Sequence, residues 1–286
     1  MARPRNSSAF EQARPTSRLS GAAPVDRLPD NLLNMRIPEL AREIAAGSLS
    51  GIVVGIIVGG LGSRLVMRLA AIAGGSGVQG ITTSNGNRVG EITLGGTFGL
   101  IVFGGVFAGL FGGLLYASLR PWLAPFGRWR GLVFGLGVLG LAGSLILDGA
   151  NSDFIILRPP LLNVAMFAAL FPIFGIALAP VFDRTLRALA EGSLIWGTLA
   201  LLGIVVAALF VGLGLLSGLA ALGSHPTTVD LITLLMLGMI VAGLAARALA
   251  HRLASPPSRL AIYGLLAAAV FVGAATTYGS VVRILS

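Results

Sequence analysis

The sequence predicts an all-α, polytopic integral membrane protein: a bundle of about seven transmembrane helices. Of its 286 residues, 55% are hydrophobic and 11% are charged, whereas soluble domains carry about 25% charged residues. The mean hydropathy is +0.91. The apolar residues fall into runs of about 20, the length that an α-helix needs to cross a bilayer. So few charges could not cover a soluble globule of this size, and the lipid bilayer is therefore the first expected partner.

The order of the segments follows from these runs. Residues 1–37 are rich in Arg and Pro and are predicted to be a disordered cytoplasmic tail. Residues 38–46 are amphipathic, and we interpret them as a helix lying at the membrane surface; the alternative is an extension of the first span. The remaining residues, 47–286, form the predicted transmembrane domain. Its spans are approximately 47–73, 94–117, 131–149, 161–182, 194–218, 231–250 and 260–280.

The arginines predict the orientation of the chain. If the N-terminal tail is cytoplasmic, most arginines in short connections also fall on the cytoplasmic side, as the positive-inside rule requires. Trp122, Trp129 and Trp196 then lie at the same interface, where amphipathic aromatic rings are favoured. We therefore expect a cell membrane protein with its N-terminus in the cytoplasm and its C-terminus outside. The bias towards Arg, Ala and Gly indicates a bacterial source.

Several kinds of chemistry are excluded by composition. The sequence has no Cys and no Lys, which removes disulfides, thiolate metal sites, Walker A loops and Schiff-base lysines. His225 and His251 lie outside the predicted spans, and no HExxH motif is present. The net charge of +9 is explained by arginines at the ends of apolar runs, so nucleic acid is not an expected partner. We predict no catalytic, cofactor-binding or metal-binding residue.

Two polar connections are predicted on the outer face. Between the first two spans, Asn85-Gly86 is typical of a type I′ turn, which predicts a small β-hairpin or an ordered loop. This connection carries Arg88 and Glu91. The connection between the third and fourth spans carries further polar residues, namely Asp148, Asn151, Asp153 and Arg158.

Two arginines in the first span, Arg64 and Arg68, are expected to meet these connections. They are four residues apart and so share a helix face. Helix rise places Arg64 and Asp148 both at ~25 Å from the inner edge. We predict that Arg64 or Arg68 pairs with Asp148 or Asp153, with Arg88, Glu91, Asn151 and Arg158 nearby. This network has two interpretations: a water-filled vestibule that binds an ion or an anionic solute, or a structural staple that neutralises the arginines.

Glycines at four-residue spacing indicate close helix packing. Gly55 and Gly59 lie in the first span, and Gly105, Gly109 and Gly113 lie in the second. We interpret them as internal packing sites, with the alternative that they form a face for a homo-oligomer or a protein partner. In the third span, Gly140 and Ser144 belong to a small, polar face.

Two local features at span ends are also predicted. Asp183 and Glu191 are expected to pair with Arg184 and Arg187 in a solvated turn. Asp230 is expected to be the N-cap of the sixth span.

Three functional hypotheses remain open. The favoured one is a non-catalytic membrane subunit, scaffold or sensor, because the predicted spans carry few polar groups at mid-membrane. The second is a transporter or channel-like protein with a charged outer vestibule. The third is a membrane enzyme acting on a lipid-linked substrate through Asp148 and Asp153.

Overall fold

A computed structural model describes residues 37–75, 93–147, 159–223, 227–249 and 259–285. These residues are almost entirely helical, and no strand occurs among them. Two π-helical segments interrupt the first helices: π1 (Gly55–Gly62) and π2 (Leu100–Phe107). The α-helices are α1 (Ile37–Val54), α2 (Ser63–Ala73), α3 (Leu94–Gly99), α4 (Ala108–Leu123), α5 (Arg130–Ala142), α6 (Pro160–Ala190), α7 (Leu194–Leu222), α8 (Thr228–Leu249) and α9 (Arg259–Leu285).

Within the described residues, six helical runs are long and apolar enough to cross a membrane, as expected for a helical membrane protein. They are Glu39–Ala73, Leu94–Leu145, Pro160–Ala190, Leu194–Leu222, Thr228–Leu249 and Tyr263–Leu285. The predicted second and third spans thus form one run instead of two. The reason is that only a short 3-10 segment, Ala124–Trp129, joins α4 to α5.

The chain nevertheless reverses within this run. Gly127, in the 3-10 segment, has φ +52° and ψ −122°, a conformation outside the helical region. The rings of Tyr116 and Phe134 lie on either side of the turn with centroids 5.1 Å apart. In one straight helix, residues with this sequence separation would lie about 27 Å apart. Helices α4 and α5 therefore run back along each other.

Helix α1 begins at Ile37, so the rest of the predicted tail (1–37) lies outside the described residues. The segment 38–46 continues without a break into the first membrane-crossing run, which agrees with the alternative that it extends the first span. Its Ala45 and Ala46 are buried, because α4, α6 and α7 pack around α1. The predicted β-hairpin, within 76–92, lies outside the described residues.

Among the six membrane-length runs, the first has the largest buried share and α7 has the smallest. Helix α5 packs between α6 and α9, and α8 packs against α4 and α7. The main core fills the space between these helices, with Tyr116, Leu178, Phe182 and Ile240 fully buried. Apolar side chains of α7 point outwards along its length, as expected for a helix facing lipid.

Helices α1 and α4 are in backbone contact through glycines. A Cβ atom added to Gly51 would lie 2.9 Å from the Cα of Gly113, and one on Gly55 would lie 2.5 Å from the Cα of Gly109. No real Cβ approaches another atom so closely, so any larger residue would force the helices apart. The same face includes Gly47 of α1, which faces Gly113 of α4, and Gly59 and Gly105 in the facing π segments.

At the start of α8, the N-cap is a different residue from the predicted one. The hydroxyl of Thr227 accepts a hydrogen bond from the Asp230 backbone N–H at 3.3 Å. In return, the Asp230 carboxylate accepts one from the Thr227 backbone N–H at 2.9 Å. This is a capping box with Thr227 as the N-cap and Asp230 as its third helical residue. Asp230 is therefore not the N-cap itself.

Candidate functional site

Five charged side chains, each from a different helix, meet at one end of the bundle. We call them the ionic cluster, and we call the end of the bundle that carries them the ionic end. They are Glu43 of α1, Arg120 of α4, Arg130 of α5, Asp183 of α6 and Arg247 of α8.

Glu43 is the centre of the ionic cluster. Its side chain is 1% exposed, and its Oε2 lies 2.6 Å from Nη2 of Arg247, which is 0% exposed. Its Oε1 accepts a hydrogen bond of 2.6 Å from Nη1 of Arg120. Arg247 also donates from Nη1 to the carbonyl oxygen of Ala117 at 2.8 Å. A buried carboxylate is thus held between two guanidinium groups.

Asp183 is the second carboxylate of the cluster. Its Oδ2 accepts a hydrogen bond from Nη2 of Arg130, and its Oδ1 lies 3.7 Å from Nη2 of Arg120. The predicted local pairing of Asp183 with Arg184 and Arg187 is therefore wrong: Arg187 reaches only the backbone oxygen of Asp183, at 3.3 Å. Arg120 contacts both carboxylates and so joins the two halves of the cluster.

Close glycine contacts explain why these charges meet. A Cβ on Gly175 of α6 would lie 2.9 Å from the Cα of Gly135 of α5, so the backbones of these helices touch. Two turns farther along α6, Asp183 faces the start of α5, where Arg130 lies. A Cβ on Gly243 of α8 would lie 3.1 Å from the Cβ of Ser118, which brings Arg247, one turn later, against α4.

An aromatic layer lies next to the cluster on the side of the core. Tyr116 is 0% exposed, and its ring contacts those of Phe134 and Phe182 edge-on at 5.1 and 5.3 Å. The Arg120 guanidinium lies 5.4 Å from the centre of the Phe182 ring, within the range of a cation–π contact. The charged groups are thus bounded by apolar surface, which strengthens their mutual attraction by excluding water.

The ionic cluster is suited to binding helices together. Three guanidiniums face two carboxylates, so it carries one excess positive charge. All of its carboxylates are engaged by arginines, and it contains no Ser, His or Cys nucleophile. Within the part of the chain that the structure describes, no group of three His, Cys, Asp or Glu side chains could hold a metal ion.

Only part of the charged network that the sequence predicts on the outer face lies among the described residues. Arg64 is half-buried and Arg68 is exposed, both on α2 at the end of the bundle opposite the ionic end. Val66, between them, belongs to the same small core as Leu147, the residue before Asp148. The other members lie outside the described residues: Arg88, Glu91, Asp148, Asn151, Asp153 and Arg158. Their pairing with Arg64 or Arg68 stays a prediction.

A charge exchange tests this pairing. Arg64→Asp and Asp148→Arg are each expected to lower the thermal midpoint of the purified protein, because each places two like charges together. The double variant is expected to recover about 0.5–3 kcal/mol, the usual coupling energy of side chains in contact. The alternative pairing is tested by combining Arg68→Asp with Asp148→Arg. Failure of both double variants to recover stability would show that neither arginine pairs with Asp148.

The predicted small face of the third span lies against the last helix. Thr277 of α9 accepts a hydrogen bond from the Ser144 backbone N–H at 3.0 Å. A Cβ on Gly140 would lie 3.0 Å from a methyl group of Val270. This part of the polar face is therefore used in packing between helices.

The ionic cluster was missed in the sequence, although one feature indicated it. Glu43 is followed by no other charged residue until Arg64, so it begins an apolar run in which an unpaired carboxylate would be expensive. Comparisons with protein-family models, with curated proteins and with solved structures found no match.

Proposed function

We propose that this protein is a non-catalytic membrane subunit, scaffold or sensor. The observation that carries the proposal is the position of the charges. Apart from Arg64 and Arg68, which lie within the first run, the charged side chains of the described helices lie in the turns towards the helix ends. The most buried ones pair with one another in the ionic cluster. The intervening segments carry no charge: 44–63, 94–119, 131–147, 160–182, 194–222, 231–246 and 260–282. The described part of the bundle therefore offers a solute no continuous line of charged groups across the membrane.

The proposal includes seven crossings of a bacterial cell membrane. The reversal at Gly127 supports counting α4 and α5 as separate crossings. An N-terminus in the cytoplasm would put the ionic end on the cytoplasmic side, together with the arginines of the connecting segments. This placement agrees with the positive-inside rule.

The partner of such a subunit would bind outside the glycine contacts. Gly51, Gly55, Gly109 and Gly113 already face one another within one chain, which argues against their use as a homo-oligomer face. The outward apolar surface of α7 is one described surface that remains for a protein partner.

The first experiment is gentle purification of the full chain from its native membrane, followed by mass spectrometry of what stays bound. A protein recovered in a fixed ratio to this chain is expected. A variant that disturbs only the outward face of α7, such as Leu209→Arg, serves as a comparison; Leu209 is 59% exposed. A chain that purifies alone from every detergent tested would count against a subunit.

A transporter is the second candidate, favoured by the π segments. π1 and π2 pack against each other, and π-helical turns frequently occur at functional sites. If the protein transports a solute, flux into liposomes should depend on this region and on Arg64. Loss of flux in Arg64→Ala, with flux retained in Arg283→Ala at the same end of the bundle, would favour transport. Absence of flux with wild-type protein for ions and small anions would support the non-catalytic subunit.

A further inference from the structure

A groove of about 670 Å³ lies at the ionic end. One wall is the turn Ala124–Trp129 with the start of α5, and the other is the second half of α6. The groove borders the ionic cluster through Arg130 and Asp183, which line it.

The polar part of the groove carries an unbalanced positive charge. Arg130 is paired with Asp183. Arg128 is exposed, and its guanidinium lies 5.0 Å from the ring centre of Trp129. Among the described residues, no carboxylate pairs with Arg128. The contact with the Trp129 ring is a cation–π contact by distance, and it leaves the N–H groups of this exposed guanidinium available to an anion.

The rest of the groove is apolar. Leu132 of α5 and Ile176 of α6 line it. The same helix faces continue away from the ionic end with Leu136 and Ile173, each 50% exposed. These positions are one turn farther along their helices and so extend the same surface. The groove thus has a cationic end at Arg128 and continues into an exposed apolar surface, which we call the apolar track.

We propose that this groove binds an anionic phospholipid of the surrounding leaflet. The phosphodiester lies beside Arg128, and an acyl chain lies along the track of Leu132, Leu136, Ile173 and Ile176. A soluble anion would use only the arginine and a neutral lipid only the track, whereas an anionic lipid complements both. Basic pockets between transmembrane helices are known to bind lipid head groups. This inference goes beyond the proposed function and holds for a subunit or a transporter alike.

Native mass spectrometry of the full chain tests the inference directly. The detergent-purified protein is titrated with phosphatidylglycerol and, separately, with phosphatidylcholine of the same acyl chains. Wild-type protein is expected to retain phosphatidylglycerol preferentially. Arg128→Ala is expected to weaken that binding about fivefold, the usual contribution of one basic residue near an anionic lipid surface. The matched control, Arg184→Ala, removes an exposed arginine of α6 outside the groove and is expected to change binding less than twofold.

Three results would overturn the inference. The first is equal retention of the two lipids by wild-type protein. The second is an equal loss in Arg128→Ala and Arg184→Ala, which would indicate only a general attraction between charges. The third is unchanged lipid binding in Ile176→Gln, which would show that the apolar track is not used. Because Arg128 and Ile176 are exposed, thermal midpoints close to that of wild-type protein are expected for both variants.

Discussion

Replacing Glu43 with glutamine is expected to destabilise the protein by about 3–5 kcal/mol, the usual effect of removing one partner from a buried ion pair. Glutamine keeps the size of the side chain but removes its charge. The guanidinium of Arg247, 0% exposed, would then be buried without its carboxylate, and Arg120 would lose its shortest ion pair. The free energy of unfolding, or the thermal midpoint of the purified protein, measures this loss.

The control for this prediction is Glu39→Gln. Glu39 is an exposed carboxylate one turn earlier on α1, so its replacement should change stability by less than about 1 kcal/mol. A second variant combines Glu43→Gln with Arg247→Met, which removes both charges and should recover part of the stability. Equal losses at Glu39 and Glu43 would contradict the role assigned to the ionic cluster.

The class of the fold follows from features that a sequence displays directly. Apolar runs of membrane length and a low content of charge predicted a helical membrane bundle. The spacing of Gly55, Gly105 and Gly109 indicated helices in close contact. The number of separate helical runs was harder to predict from the sequence, because only a short 3-10 turn around Gly127 joins α4 to α5. The sequence also left open whether 38–46 is a surface helix or an extension of the first span, because nothing in it shows that three other helices surround this segment.

The candidate site depends on which helices meet, and sequence alone gave little information on that. Arg120 and Glu43 are 77 residues apart, and Arg247 comes from a still later helix. The arginines near the ionic end looked like ordinary orientation signals in connecting segments. The close packing at Gly175 and Gly243 brings the helices together, and only the resulting ion pairs show that these arginines reach carboxylates of other helices. The sequence instead drew attention to Arg64 and Arg68, whose predicted partners lie outside the described residues.

Replacing Gly109 with alanine is expected to cost about 1–3 kcal/mol, the usual range for overpacking a tight contact. A Cβ on Gly109 would lie 2.7 Å from the Cα of Gly55. Backbone atoms cannot rotate out of the way as a side chain can, so α1 and α4 would have to separate. Gly212→Ala on α7 is the matched control, because a Cβ there meets nothing within 4 Å. That variant should be neutral or more stable by up to about 1 kcal/mol, since alanine favours helix more than glycine does.

The effects of Glu43→Gln and Gly109→Ala are physically linked, so a double variant tests both predictions together. The α1–α4 contact that Gly109 permits is also the contact that holds Glu43 against Arg120. Separating the helices would lengthen that ion pair, so part of the loss caused by Glu43→Gln would already be present in Gly109→Ala. The double variant should therefore lose less stability than the two single losses combined, by at least about 0.5 kcal/mol. Strict additivity would mean that the glycine contact and the ionic cluster stabilise the bundle independently, and our account of how Glu43 is positioned would then be wrong.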